Sequence, residues 1–138
     1  MDLLHPHDPT TVLFAQNELA CPHCGQHRLA PGFANALTAL RLAFGRPMYV
    51  SSCCRCRAHN DSLRPRGHSR SLHLLDDTGR TTAGTCAIDI AHIPDSGYAH
   101  RLGMLAMQDA WSIGRISKTA MHLDRRHDHG MPLAFFSY

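Results

Sequence analysis

Apolar positions recur with a helical period from Pro31 onward: Phe33, Leu37, Leu40 and Phe44 fall at i, i+4, i+7 and i+11, with Gly45 just beyond. The spacing predicts an amphipathic helix over 31–44. Two short apolar runs follow with strand character. Pro47-Met48-Tyr49-Val50-Ser51 is one, and Cys86-Ala87-Ile88-Asp89-Ile90-Ala91 reads as a buried strand with a carboxylate at its centre. Between them lie a Cys- and Arg-rich turn and a basic, solvent-facing loop through Arg64-Pro65-Arg66-Gly67. Ser96 is placed to cap a second helix carrying Tyr98, Leu102 and Leu105, with Trp111 near its end, and residues 119–124 suit a closing strand. Ahead of all this, Val12-Leu13-Phe14-Ala15 suggests one or two helical turns docked on the body. The order of elements predicts an α+β domain with a small, mainly antiparallel sheet flanked by helices.

Length and composition narrow the class. The 138 residues are the size of one domain, here 1–138 with 1–16 as an N-terminal extension, and 43% hydrophobic against 18% charged residues is ordinary for a folded protein. No apolar run approaches the roughly 20 residues that cross a bilayer, and the N-terminus lacks a basic start and an apolar signal core. The expectation is a monomer made in the cytoplasm, without membrane contact. A net charge of +3 with scattered basic residues gives no support to nucleic-acid binding. The twelve histidines are the compositional outlier, because imidazole is a common ligand of transition metals.

Three polar residues interrupt strand-like apolar segments: His73 in Ser71-Leu72-His73-Leu74, Asp89 in Ala87-Ile88-Asp89-Ile90, and His122 in Met121-His122-Leu123-Asp124. Two imidazoles and a carboxylate suit a zinc site that keeps a fourth position open. From composition and spacing alone, the reading to prefer for each is an ordinary buried or half-exposed polar residue satisfied by a hydrogen bond.

Read together, Ser51-Ser52-Cys53-Cys54-Arg55-Cys56-Arg57-Ala58-His59-Asn60, Ser71-Leu72-His73-Leu74, Gly84-Thr85-Cys86-Ala87-Ile88-Asp89-Ile90 and His122-Leu123-Asp124 resemble a family of peptidoglycan metallopeptidases. This is the zinc D-Ala-D-Ala carboxypeptidase and phage L-Ala-D-Glu endopeptidase family, whose motifs occur in the same order. The resemblance implies a sheet-based zinc site with His73, Asp89 and His122 as metal ligands. It also implies a substrate-binding and catalytic role for Arg55, Ser71 beside the first ligand, and peptidoglycan stem peptides as substrate. It makes Asp124 the leading candidate for general base or for a partner that orients a ligand, with Asp128 and His127 behind it. A wall-degrading protein without a leader would reach its substrate by lysis, in a phage particle or through a secretion machine. A wall-binding module of the same fold without turnover is the alternative.

Two departures stand out. Fifteen residues separate His73 from Asp89 where the family has six, which we read as a loop inserted beside the site, with Asp76 or Asp77 as alternative ligands. Thr119 occupies the position at which some relatives carry a glutamate base.

The cysteines raise a second metal. Cys21-Pro22-His23-Cys24-Gly25 is a C-x-x-C knuckle, and Cys53 with Cys56 supplies another pair, so that Cys21, Cys24, Cys53 and Cys56 could form a four-thiolate structural zinc site. Disulfides or free thiols are the alternatives, Cys54 is another possible ligand, and Cys86 reads as core. A zinc-ribbon interaction protein built on these pairs is the reading from a different functional class.

Overall fold

The structure, a computed structural model, describes residues 3–5, 8–76 and 84–138, with side chains from Leu13 onward. A five-stranded sheet organises it. The strands are β3 (Tyr49–Ser52), β4 (Ala87–Ala91), β5 (Ser112–Ser117), β6 (Ala120–Asp124) and β7 (Phe135–Ser137), in the order β3-β4-β6-β5-β7. All neighbours are antiparallel except β5 and β7, which run parallel. The α+β class with a mainly antiparallel sheet is thus as expected.

Helix α2 (Phe33–Phe44) follows the apolar period, and it buries Phe33, Leu37, Leu40 and Phe44. Gly45 ends it in the left-handed conformation, with its N–H bonded to the Arg41 carbonyl. Helix α4 (Ser96–Gln108) packs beside it through an edge-on contact of Phe44 with Tyr98. Its cap is Asp95 rather than Ser96: the Asp95 carboxylate accepts from Tyr98 N at 2.8 Å, and Ser96 is already the first helical residue. Trp111, beyond the helix end, is fully buried against Phe33.

The N-terminal expectation needs correction. Val12–Ala15 is not helical; β2 (Asp8–Phe14) pairs antiparallel with β1 (Leu3–His5), and a single turn, α1 (Gln16–Leu19), comes after it. The β-branched run Thr10-Thr11-Val12 favours the extended chain. A short helix, α3 (Arg57–Ser62), completes the set.

The pleat sets the site. Ile88, Ile90 and Leu123 belong to the buried core, so Asp89, His122 and Asp124 turn to the opposite face. Register then places Asp89 directly across from His122, and Gly114 of β5 across from His122 on its other side. Gly114 is required there. A Cβ would meet the Phe136 ring of β7 at 2.4 Å.

Candidate metal centre

Three acceptors converge on the open face of the sheet. His122 Nδ1 lies 2.9 Å and His73 Nε2 3.2 Å from the same Asp89 oxygen, Oδ1, and all three side chains are buried. His73 reaches this point from a turn and not from a strand, which corrects the expected strand-like setting. Leu74 N bonds to Ser71 O, the Ser71 hydroxyl accepts from His73 N at 3.2 Å, and the Thr85 hydroxyl donates to His73 O at 2.8 Å. Ser71 therefore fixes the turn that carries the first imidazole, and it also lines the cleft.

The second nitrogen of each imidazole is already committed. His73 Nδ1 is 2.7 Å from the Cys53 carbonyl, which can only accept, so the proton sits on Nδ1 and Nε2 presents a lone pair. His122 Nε2 is 2.8 Å from Asp124 Oδ2 and donates to it, leaving Nδ1 to face Asp89. Two neutral imidazoles in these tautomers would point lone pairs at a carboxylate oxygen. A cation resolves that conflict. Burial pushes the His73 imidazolium below its ordinary range, against the pull of Asp89. For His122 the burial penalty is outweighed by hydrogen bonds to Asp124 and Asp89, and its pKa rises. Burial opposes ionisation of Asp89 as well, yet the two imidazoles hold its carboxyl far below the usual range. The set is a carboxylate and two oriented imidazoles within 4.8 Å of one another, which fits a divalent metal with an open coordination position.

Asp124 is behind the site. It is fully buried, and its carboxylate takes His122 Nε2, Arg126 Nη2 at 2.7 Å, and Arg126 Nε and N at 2.9 Å each. Although burial works against the charged form, hydrogen bonds from His122 and Arg126 pull its pKa down to about 2. With its lone pairs filled, Asp124 acts by orienting His122. The same arrangement forms an ion pair between Asp124 and Arg126. Asp128 pairs with Arg125 at 2.8 Å, and His127 Nδ1 lies 3.3 Å from the Met131 carbonyl; neither lines the cleft.

Arg55 is at the edge of the triad. Its guanidinium contacts Ser52 Oγ at 3.0 Å, Asn60 Oδ1 at 3.3 Å and Asp89 Oδ2 at 3.5 Å. Asn60, fully buried, also donates to the His68 carbonyl and so joins α3, Arg55 and the 64–68 loop. That loop is exposed, as expected, and forms one wall of a cleft of about 530 Å³ over the triad.

Sequence reasoning missed the other wall. Phe136 and Tyr138 stack edge-on at 5.4 Å, and both approach the His122 ring, at 5.7 and 6.3 Å. Arg126 lies over Phe136 and faces the same cleft. Alternate aromatics at the C-terminus were the available signal.

The four-thiolate expectation also changes. Cys21, Cys24 and Cys56 come together, whereas Cys53 does not join them. Cys53 is buried beside Cys54, and its carbonyl supports His73. Cys54 points to the Arg28 carbonyl and Cys86 is core, and the described cysteines form no disulfide. Asp76 is exposed and outside the triad, while Asp77 lies outside the described residues.

Compared with family models, characterised proteins and solved structures, the chain matches none. Among the described residues no helix is long and apolar enough to cross a membrane.

Proposed function

We propose that the protein is a zinc peptidase that cuts stem peptides of bacterial peptidoglycan, with His73, Asp89 and His122 as the metal ligands. The observation that carries this reading is the convergence of three sequence-distant acceptors, each imidazole held from behind, at the floor of an open cleft. The motif resemblance supplies the substrate class.

Bound there, zinc supplies Lewis acidity, which makes water a nucleophile near neutral pH and draws electron density from a carbonyl. The chain's own residues do the rest. The Cys53 carbonyl keeps the His73 proton on Nδ1, and Asp124 keeps the His122 proton on Nε2, so both metal-facing nitrogens stay unprotonated. Arg55 offers a fixed, planar cation at the triad's edge, suited to a substrate carboxylate or a developing oxyanion. Arg66 and Arg126 add positive charge to the walls, and stem peptides are anionic. Phe136 and Tyr138 give one wall an apolar surface.

A specific observation favours a second reading, a zinc-containing wall-binding module without turnover. Among the described residues Asp89 is the only carboxylate lining the cleft, and Thr119 is an exposed turn residue bonded to Ser117. Digestion of purified peptidoglycan with the zinc-loaded protein, followed by mass spectrometry of the muropeptides, separates the two. New stem-peptide termini that vanish with His122→Ala support the peptidase. Intact muropeptides from a protein that holds zinc and pellets with the wall support the binder. Iron in place of zinc on metal analysis would overturn both, since two histidines and a carboxylate also serve non-haem iron.

A further inference from the structure

We propose that Cys21, Cys24 and Cys56, with one imidazole from the neighbouring pair His23 and His59, hold a second, structural zinc ion that fixes Arg55 in the cleft. This proposal does not depend on the peptidase reading.

The three sulfurs lie within 4.8 Å of one another although they come from distant parts of the chain. Each is also met by backbone N–H groups. Those of Cys24, Cys56 and His23 address Cys21, that of Gln26 addresses Cys24, and His59 N donates to Cys56 Sγ at 3.4 Å. Amide donors aimed at sulfur favour thiolates, and thiolates packed this closely repel one another unless a cation sits between them. The 21–25 turn closes through Gly25 N to the Cys21 carbonyl at 2.8 Å, with Gly25 at φ +74°, so both sulfurs of the C-x-x-C pair project to the same side. Cys56 arrives from the cap position of α3.

A disulfide accounts for these contacts less well. It would join two of the sulfurs and leave the third thiol packed against them. A tetrahedral zinc site uses all three and asks for one further donor. Two imidazoles are near the sulfurs. His23 Nδ1 is 3.3 Å from Cys56 Sγ, and His59 lies one helical turn into α3, close enough to His23 for their charges to interact.

Position gives the metal a purpose. Cys56 follows Arg55 directly, and the α3 it caps carries Asn60, which holds the Arg55 guanidinium. The knuckle precedes α2, and Cys56 N also bonds to Cys21 Sγ at 3.3 Å. A metal at this point therefore ties the entry to α2 to the segment that aims Arg55. The short α3 lacks the length to hold its own place.

The test is zinc content and cobalt spectroscopy on the 138-residue chain. The parent should carry about two zinc ions, His122→Ala about one, and Cys24→Ser, at an exposed position, about one. Cobalt loaded into His122→Ala should show an intense thiolate-to-cobalt charge-transfer band with tetrahedral d–d bands. Loss of one imidazole, in His23→Ala or His59→Ala, should shift the d–d bands and keep the charge-transfer band. Should Cys24→Ser fail to fold, the cobalt spectrum of His122→Ala decides alone. Zinc content equal to the parent in folded Cys24→Ser, or no thiolate charge-transfer band in cobalt-loaded His122→Ala, overturns the proposal.

Discussion

Replacing Asp124 by asparagine separates its two possible roles. The substitution keeps shape and removes one acceptor and the charge. If the amide oxygen takes the Oδ2 position, His122 Nε2 is still satisfied, but the new NH₂ faces Arg126 Nε and N, which are also donors. If the amide is flipped, NH₂ faces His122 Nε2, and the imidazole must move its proton to Nδ1, which removes the metal-facing lone pair. Either outcome costs something. Loss of a carboxylate that orients a metal-bound histidine weakens metal binding by about 10- to 100-fold, or roughly 1.4–2.7 kcal/mol. Breaking a buried ion pair costs about 3–5 kcal/mol in folding. The Arg126 side chain retains 17% exposure, so the released charge is partly solvated and the low end, about 3 kcal/mol, applies. Competition with a chelator of known affinity gives the zinc constant, and urea unfolding of the metal-free protein gives the stability. Turnover should return toward the parent's when zinc is supplied in excess. Unchanged zinc affinity with abolished turnover would refute this reasoning and make Asp124 the group that takes the proton.

Three further outcomes follow from the same geometry. Arg55→Lys should lose most activity on peptidoglycan at constant zinc content, because an ammonium cannot span Ser52, Asn60 and Asp89 at once; near-parental rates would give Arg55 a structural role. Gly114→Ala should displace Phe136 and destabilise the fold by about 1–3 kcal/mol, read as a lower thermal midpoint, since its Cβ would sit 2.4 Å from the ring; an unchanged midpoint would mean that β7 is loosely held. The metal-free protein should lose stability as pH falls from about 4 toward 2. Asp124 titrates at about 2 when folded and near 3.9 when unfolded, so the unfolded chain takes up the proton first. Flat urea midpoints for the parent across that window, or an equal loss in Asp124→Asn, would remove Asp124 as the source.

Much of this was legible from residue pattern because the pattern is local. The helical period fixed α2 by its four apolar contacts, and the buried run around Ile88 located β4. Asp89 and His122 drew attention as polar residues in apolar strands, and register then set them opposite each other. What stayed hidden depends on partners distant in sequence. Ser112–Ser117 is half polar with a central glycine, and it becomes β5 only because β6 and β7 flank it. Cys53 and Cys56 are equivalent as letters, and the site takes Cys56 because Cys53 is turned into the core. The aromatic wall depends on a parallel pairing between β5 and the C-terminus, which no short-range signal encodes.

Gly84 has a consequence beyond its own position. Its N–H bonds to the Leu75 carbonyl at 2.9 Å, its φ is +115°, and a Cβ would meet the Ala30 backbone at 2.7 Å, while Leu75 N is fastened to the Arg55 carbonyl. The chain on either side of residues 77–83 is therefore clasped by its own backbone bonds, and the placing of His73 and Asp89 rests on those bonds. The clasp thus predicts that residues inserted between Asp76 and Gly84 leave the separation of His73 and Asp89 unchanged.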